Sequence, residues 1–296
     1  MPMLSTLRWL LIVTLVVLNT VAHTSVLLLL ALAKWLLPLP RWRRALSRLL
    51  VRIAERWIAV NSWMMDHLTP LQVDVQGQGS LSRHGWYLVI SNHQSWVDIL
   101  ILQKVFNRRI PFLKFFLKQQ LIWVPLLGLA WWALDFPFMR RYSRQQIERE
   151  PALQGKDVEA TRKACARFRQ MPVSVMNFVE GTRYTPEKHA AQRSPYPHLL
   201  RPKAGGVAFV LNAMGEILQS VVDVSIVYPA GRPTLSDLLA GRIPSVKVRV
   251  RERPLPSDLL RGDYENDAAF RDRFQHWINT LWAEKEAEIV ALHGEE

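Results

Sequence analysis

Cysteine is almost missing: Cys165 stands alone among 296 residues, so no intramolecular disulfide can staple this fold. The marks of several enzyme classes are missing too. The chain has no G-x-S-x-G elbow, no Walker A run, no G-x-G-x-x-G and no H-E-x-x-H. Histidines fall at 23, 67, 84, 93, 189, 198, 276 and 293, and none pairs with another at a metal-binding spacing. A lipid phosphatase of the K-x6-R-P kind needs Lys seven residues before Arg201, where this chain has Ser194. No metal and no resident cofactor is therefore expected. Acidic residues are scarce, with Asp+Glu 25 against Lys+Arg 38, a formal charge of +13 and a pI near 10.3. That surplus calls for an anionic partner. Nucleic acid is disfavoured, because no recognised binding module accompanies the charge.

What the chain has in quantity is apolar sequence, 49% against 21% charged, which excludes disorder as the dominant state. Its 12 tryptophans favour places where an apolar region meets a polar one. From Trp9 to Ala33 no residue carries a formal charge. A helix of that length reaches about 37 Å, against roughly 30 Å of hydrocarbon in a bilayer. Ala31-Leu32-Ala33 looks superficially like a signal-peptide cleavage site, but Lys34, Arg41, Arg43, Arg44 and Arg48 follow at once and resist translocation. The positive-inside rule places the rest of the chain in the cytoplasm. Residues 1–40 are thus expected to be a transmembrane or membrane-embedded segment, either crossing or bent near Asn19–Thr24. Residues 41–69 follow as a basic amphipathic helix, with Arg44, Arg48, Arg52 and Arg56 in one stripe and Leu46, Leu49, Leu50, Ile53, Trp57, Val60 and Met64 opposite. Beside an anchor, such a stripe fits anionic membrane lipids; elsewhere it would be an ordinary solvated face.

Past Pro70 the pattern becomes short strands between helices. Strands are expected at 71–76, 86–91, 109–113, 173–179, 221–228 and 246–252, and helices at 96–106, 157–171, 204–214 and 267–292. Residues 142–156 and 184–203 read as loops, the second long enough to be functional. Residues 119–134, apolar and aromatic but too short for a span, should pack in the core or dip into the membrane interface. The alternation predicts an α/β fold, a mixed sheet flanked by helices, over 70–296.

Two clusters carry chemistry. Ser91-Asn92-His93-Gln94-Ser95-Trp96-Val97-Asp98 follows a strand buried on both faces. On one continuous helix His93 and Asp98 would lie about 140° apart. They can meet only if His93 sits in the turn and Asp98 in the first helical turn. Asp98 would then fix the imidazole tautomer and leave the other nitrogen as a base. Ser95-x-x-Asp98 also resembles a capping box, so Asp98 has a purely structural reading that can coexist with the first. The second cluster is Glu180-Gly181-Thr182-Arg183 at the end of another strand: an acid, a permissive glycine, a hydroxyl and a guanidinium suited to phosphate. Between them lie Lys118 and Arg140-Arg141. Cys165, in an amphipathic helix without an evident partner, reads as structural.

With these blocks in order, residues 70–230 resemble the glycerolipid acyltransferases of the 1-acylglycerol-3-phosphate (lysophosphatidate), PlsC-like type. Asn92-His93-x4-Asp98 is similar to their catalytic block. Lys118 through Gly128 with Arg141 resembles their acceptor-binding block, and Phe178-Val179-Glu180-Gly181-Thr182-Arg183 the block whose Arg contacts the glycerol phosphate. A fourth block normally has proline where this chain has Asp223, a departure similar to a subgroup that includes bacterial paralogues and eukaryotic lysophospholipid-remodelling relatives, and it bears on which acceptor is used. The resemblance implies His93 as base, Asp98 as its partner, and Lys118, Arg141, Glu180, Gly181, Thr182 and Arg183 at the acceptor. It implies an acyl-CoA or acyl carrier protein thioester as co-substrate, lysophosphatidate or a related lysophospholipid as acceptor, and a bacterial inner membrane location.

Overall fold

The computed structural model describes residues 2–36, 39–140, 149–150, 156–169, 171–264 and 266–294. Arg141 and most of the expected 142–156 loop lie outside the described residues.

Six strands form one mixed sheet: β1 (Gln72–Gln76), β2 (Tyr87–Ser91), β3 (Leu113–Phe115), β6 (Ser174–Phe178), β7 (Ser220–Val227) and β8 (Ser245–Arg253), in the spatial order β1-β8-β7-β2-β6-β3. Only the β7–β8 pair is antiparallel. The neighbours β7, β2, β6 and β3 all run the same way, so their C-terminal ends collect at one edge of the sheet. Two further short strands, β4 (Leu117–Lys118) and β5 (Phe138–Met139), pair with each other in a separate lobe. That lobe also holds a 3-10 turn (Gln119–Trp123) and α4 (Leu127–Ala133).

The sheet divides two cores. Along β2 all five residues are buried, as the uninterrupted apolar run demands of a strand covered on both faces. Val89 joins the core built with α1 (Pro2–Leu36), α2 (Pro40–Leu68) and α3 (Val97–Phe106). Leu88 and Ile90 join the core built with α5 (Lys156–Phe168), α7 (Gly205–Met214) and α9 (Ala268–Gly294). Two described helices, α6 (Pro186–Gln192) and α8 (Leu235–Leu239), are short.

The expected strand at 109–113 is shifted to Leu113–Phe115. The stretch 184–203 is not all loop: Thr185 caps α6, accepting from the Lys188 amide at 3.3 Å, and Pro186 takes its first turn. That Thr-Pro start is a legible helix signal that the surrounding prolines mask.

α1 runs unbroken from Pro2 to Leu36, without a bend at Asn19–Thr24, and α2 returns alongside it. Asn19 Nδ2 donates to the Trp57 carbonyl at 3.2 Å and to Asn61 Oδ1 at 2.8 Å, tying the two helices at mid-length. Thr6–Leu36 is long and apolar enough to cross a membrane by length and composition. Yet both ends of α1 rest on the rest of the molecule. Arg8 lies against Gly241, and Lys34 Nζ pairs with Asp135 Oδ2 at 2.8 Å. The arginine stripe of α2 faces outward, while Leu50, Ala54 and Met65 enter the same core as the sheet.

Candidate active site

The edge where β2, β6 and β7 end is where side chains from three loops can converge, the usual ligand position of an open α/β sheet. Asn92, the first residue past β2, is buried and prolongs the ladder with its side chain. Its Nδ2 donates to the Ile226 carbonyl and its Oδ1 accepts from the Ile226 amide, both at 2.9 Å. The next residue is thereby thrown clear of the sheet.

That residue is His93. Its Nδ1 lies 2.9 Å from Asp98 Oδ2, so the imidazole N–H donates to the carboxylate and Nε2 faces away from it. The ring stacks on Phe178 at the end of β6, with centroids 3.8 Å apart and planes 10° apart. Its backbone is held on both sides: the amide donates to Glu180 Oε1 at 3.2 Å, and the carbonyl accepts from the Tyr184 amide at 2.7 Å. The β6 loop thus serves as a wall for the β2 loop.

Asp98 is fully buried and makes both sets of contacts at once, to the imidazole and to the amides before the helix. Its Oδ2 also accepts from the amides of Gln94 (2.6 Å) and Ser95 (2.8 Å), and its Oδ1 accepts from the Tyr228 hydroxyl at 2.8 Å. Ser95 is not a simple cap: its Oγ accepts from the Val97 amide and donates to the Pro233 carbonyl at 2.6 Å. Tyr228 follows β7 and was not singled out from the sequence; its position one residue beyond a strand end is the only local hint. Burial, reinforced by the Asp98 charge, pushes its phenol well above the usual range, which keeps it a hydrogen-bond donor.

The Glu180-Gly181-Thr182-Arg183 turn does not act as a unit. Glu180, expected at the acceptor, turns inward and is fully buried beneath the His93 amide. Burial raises its carboxyl to about 8, opposed by the amide hydrogen bonds from His93 and Leu200. Gly181 takes φ +70°, which a side chain would strain, and reverses the chain after β6. Thr182 Oγ1 accepts from Lys188 Nζ at 2.8 Å. Arg183 alone projects outward, its guanidinium carbon 4.9 Å from the centre of the Trp96 ring. An exposed Arg stacked on an indole keeps its fork of donors free while losing rotamer freedom. Arg232 donates to the Tyr184 carbonyl at 2.9 Å, adding a cation beside the same turn. Lys118 is carried by the other sheet, exposed at the end of β4.

A family model described as "Acyltransferase" matches residues 72–229, more than half of the chain, and covers the loops after β2 and β6 and the end of β7. The chain belongs to the acyltransferase family. This acyltransferase is 22% identical over 259 residues to the 1-acyl-sn-glycerol-3-phosphate acyltransferase delta of Rattus norvegicus, across 83% of this chain and 63% of the relative. It is 25% identical over 272 residues to the gamma form of Homo sapiens, across 86% and 66%. The chain spans about half to two thirds of the length of the curated relatives it matches. In fold it is similar to the crystal structure of the 1-acyl-sn-glycerophosphate (LPA) acyltransferase PlsC from Thermotoga maritima. The TM-score is 0.51 at 17% identity, over 95% of this chain and 96% of that one.

Two polar residues of the acyltransferase lie away from the strand-end loops. Asp223, where the resembling block has proline, is buried within β7 and pairs with Lys285 Nζ of α9 at 2.5 Å and Arg253 Nε of β8 at 2.9 Å. Its role is to fasten α9 to the sheet. Cys165 is buried in α5, and burial pushes its thiol up to about 12, opposed only weakly by Arg169. At pH 8 its thiolate fraction is then about 10⁻⁴, too low for ready alkylation. Maleimide should label the native protein negligibly and the denatured protein fully, as read by mass; rapid native labelling would contradict this packing.

Proposed function

We propose that this acyltransferase moves a fatty acyl group from an acyl-CoA or acyl carrier protein thioester to the sn-2 hydroxyl of 1-acylglycerol-3-phosphate, giving phosphatidate. The observation that carries the reading is the His93–Asp98 pair standing at the strand ends beside the outward Arg183. His93 Nε2 takes the hydroxyl proton as the oxygen attacks the thioester carbonyl. The C–O bond forms, the C–S bond breaks, and the proton passes to the departing thiolate. Asp98 stabilises the imidazolium between these steps. A thioester is already activated, so no acyl-enzyme and no cofactor is needed. Arg183 grips the acceptor phosphate, and Lys118 and Arg141 supply further positive charge to it.

We place this activity at a membrane surface, the bacterial inner membrane on its cytoplasmic side. The outer face of α1, with Leu10, Leu18, Leu29 and Trp35 exposed, supports immersion in lipid. A 35-residue helix is about 52 Å long, and crossing would carry one end away from the domain. Contacts at both Arg8 and Lys34 favour a helix embedded along one leaflet.

The test is purified protein with labelled acyl-CoA and lysophosphatidate, set against a panel of lysolipids bearing headgroups. Phosphatidate should be the preferred product. Arg183→Lys should raise the KM for lysophosphatidate about tenfold, because an ammonium replaces a bidentate fork, while the KM for the thioester stays within about twofold. If only the thioester KM moves, Arg183 reads the donor's phosphates. If a lysolipid with a headgroup is preferred, the acceptor is a remodelling substrate instead.

A further inference from the structure

Between β3 and α5 the chain leaves the main sheet to build the β4–β5 lobe, residues 117–139. Its inner side is firmly seated. Ala130, Leu134 and Phe136 enter the core shared with α1, and Asp135 holds Lys34 of α1. Gly128 packs so tightly that an added Cβ would fall 2.0 Å from the Ile122 carbonyl oxygen. The outer side is left exposed among the described residues. Trp123 is 84% exposed and Trp132 55%, with Leu126 and Leu129 exposed between them, an apolar stripe at every third residue. Leu126 is held at φ +62°, a backbone state that branched side chains rarely take. No residue from Gln119 to Leu134 carries a charge.

The surroundings of the stripe identify what covers it. The lobe packs against the C-terminal part of α1, whose own exposed Leu32, Trp35 and Leu36 continue the apolar surface. Immediately beyond, α2 begins with exposed Arg41, Arg43, Arg44 and Arg48 and has no acid in its first turn. An apolar patch with paired tryptophans and a basic rim matches a bilayer of anionic lipids, with indoles at the headgroup level. A second copy is a poor occupant. Symmetric pairing through the same patch would set one arginine rim against the other.

We propose that the β4–β5 lobe is a second membrane-inserting element, dipping Trp123, Leu126, Leu129 and Trp132 into an anionic leaflet beside α1. The proposal rests on the membrane location given above for α1. The lobe connects directly to the catalytic edge. β3 precedes it, and Phe115 of β3 lies 6.1 Å from Phe178, the ring on which His93 stacks.

Full-length protein carrying Trp123→Cys or Leu29→Cys, labelled with an environment-sensitive fluorophore, tests this. Cys165 is buried, and the labelled parent protein measures its background. On vesicles of phosphatidylcholine and phosphatidylglycerol containing nitroxide-tagged lipid, both labels should be quenched about twofold or more. Quenching at position 29 without quenching at 123 overturns the lobe proposal alone. Quenching at neither position overturns the membrane reading with it. A blue shift at 123 that appears without vesicles as protein concentration rises means copies cover the lobe, and also overturns the proposal. As a second measure, the double variant Leu129→Ser, Trp132→Ser, at exposed positions beyond the Lys118–Gly128 block, should keep its rate in detergent mixed micelles. On vesicles its rate should fall about tenfold; equal rates in both would count against insertion.

Discussion

Replacing His93 with Ala should lower kcat by about 10²- to 10⁴-fold, the range a positioned base contributes. In barrier terms that is about 2.7 to 5.4 kcal/mol. Binding should change little, because the lysophospholipid's phosphate is assigned to Arg183. Folding should also survive. The ring stacks on Phe178 and is largely shielded, but the loop is held by main-chain bonds that Ala retains, from His93 to Glu180 and from Tyr184 to His93. A stopped assay at saturating acyl-CoA and lysophosphatidate, with a melting curve beside it, separates the two effects. More than about a tenth of the parent kcat would remove His93 from the role of base.

Asp98→Asn should have the next largest effect, and the structure specifies its form. Oδ2 is surrounded by three donors: the His93 ring N–H and the amides of Gln94 and Ser95. The asparagine must therefore place its oxygen there, and its NH2 must face the Tyr228 hydroxyl. Tyr228 then turns from donor to acceptor. The imidazole tautomer is preserved, unlike the serine-protease case in which Asn imposes the wrong one. What is lost is the negative charge that stabilises the imidazolium. We expect kcat to fall about 10²-fold and stability to fall by about 1–3 kcal/mol, as charge-assisted hydrogen bonds become neutral. A lower melting temperature with turnover intact would reduce Asp98 to a helix cap. An unchanged melting temperature would mean that the four bonds to Asp98 contribute nothing to stability.

The departure at Asp223 has a structural reading beside the one drawn from the sequence. In the sequence, the missing proline bears on which acceptor is used. In three dimensions Asp223 points away from the strand-end loops, into an ion pair with Lys285, itself fully buried, and with Arg253. Removing one partner of such a pair typically costs about 3–5 kcal/mol, so its substitution would affect stability before specificity.

The features determined by the sequence alone are those set by a repeat or by a spacing of a few residues. The charge-free run gave α1, the four-residue arginine period gave the stripe of α2, and the unbroken apolar run gave β2. The five-residue interval from His93 to Asp98 allowed their contact, because a turn and a first helical turn are local structures. Strand order decided the rest. β2 lies between β6 and β7 although 82 or more residues separate it from either strand in the chain. That order brings Tyr228 to Asp98 across 130 residues and Glu180 under His93 across 87. It also sets Arg183 on Trp96. Periodicity states which face of a strand is buried, but not which strand lies beside it. Pairing is selected by the packing of the whole sheet against its helices, and the polar contacts at the strand ends follow from that selection.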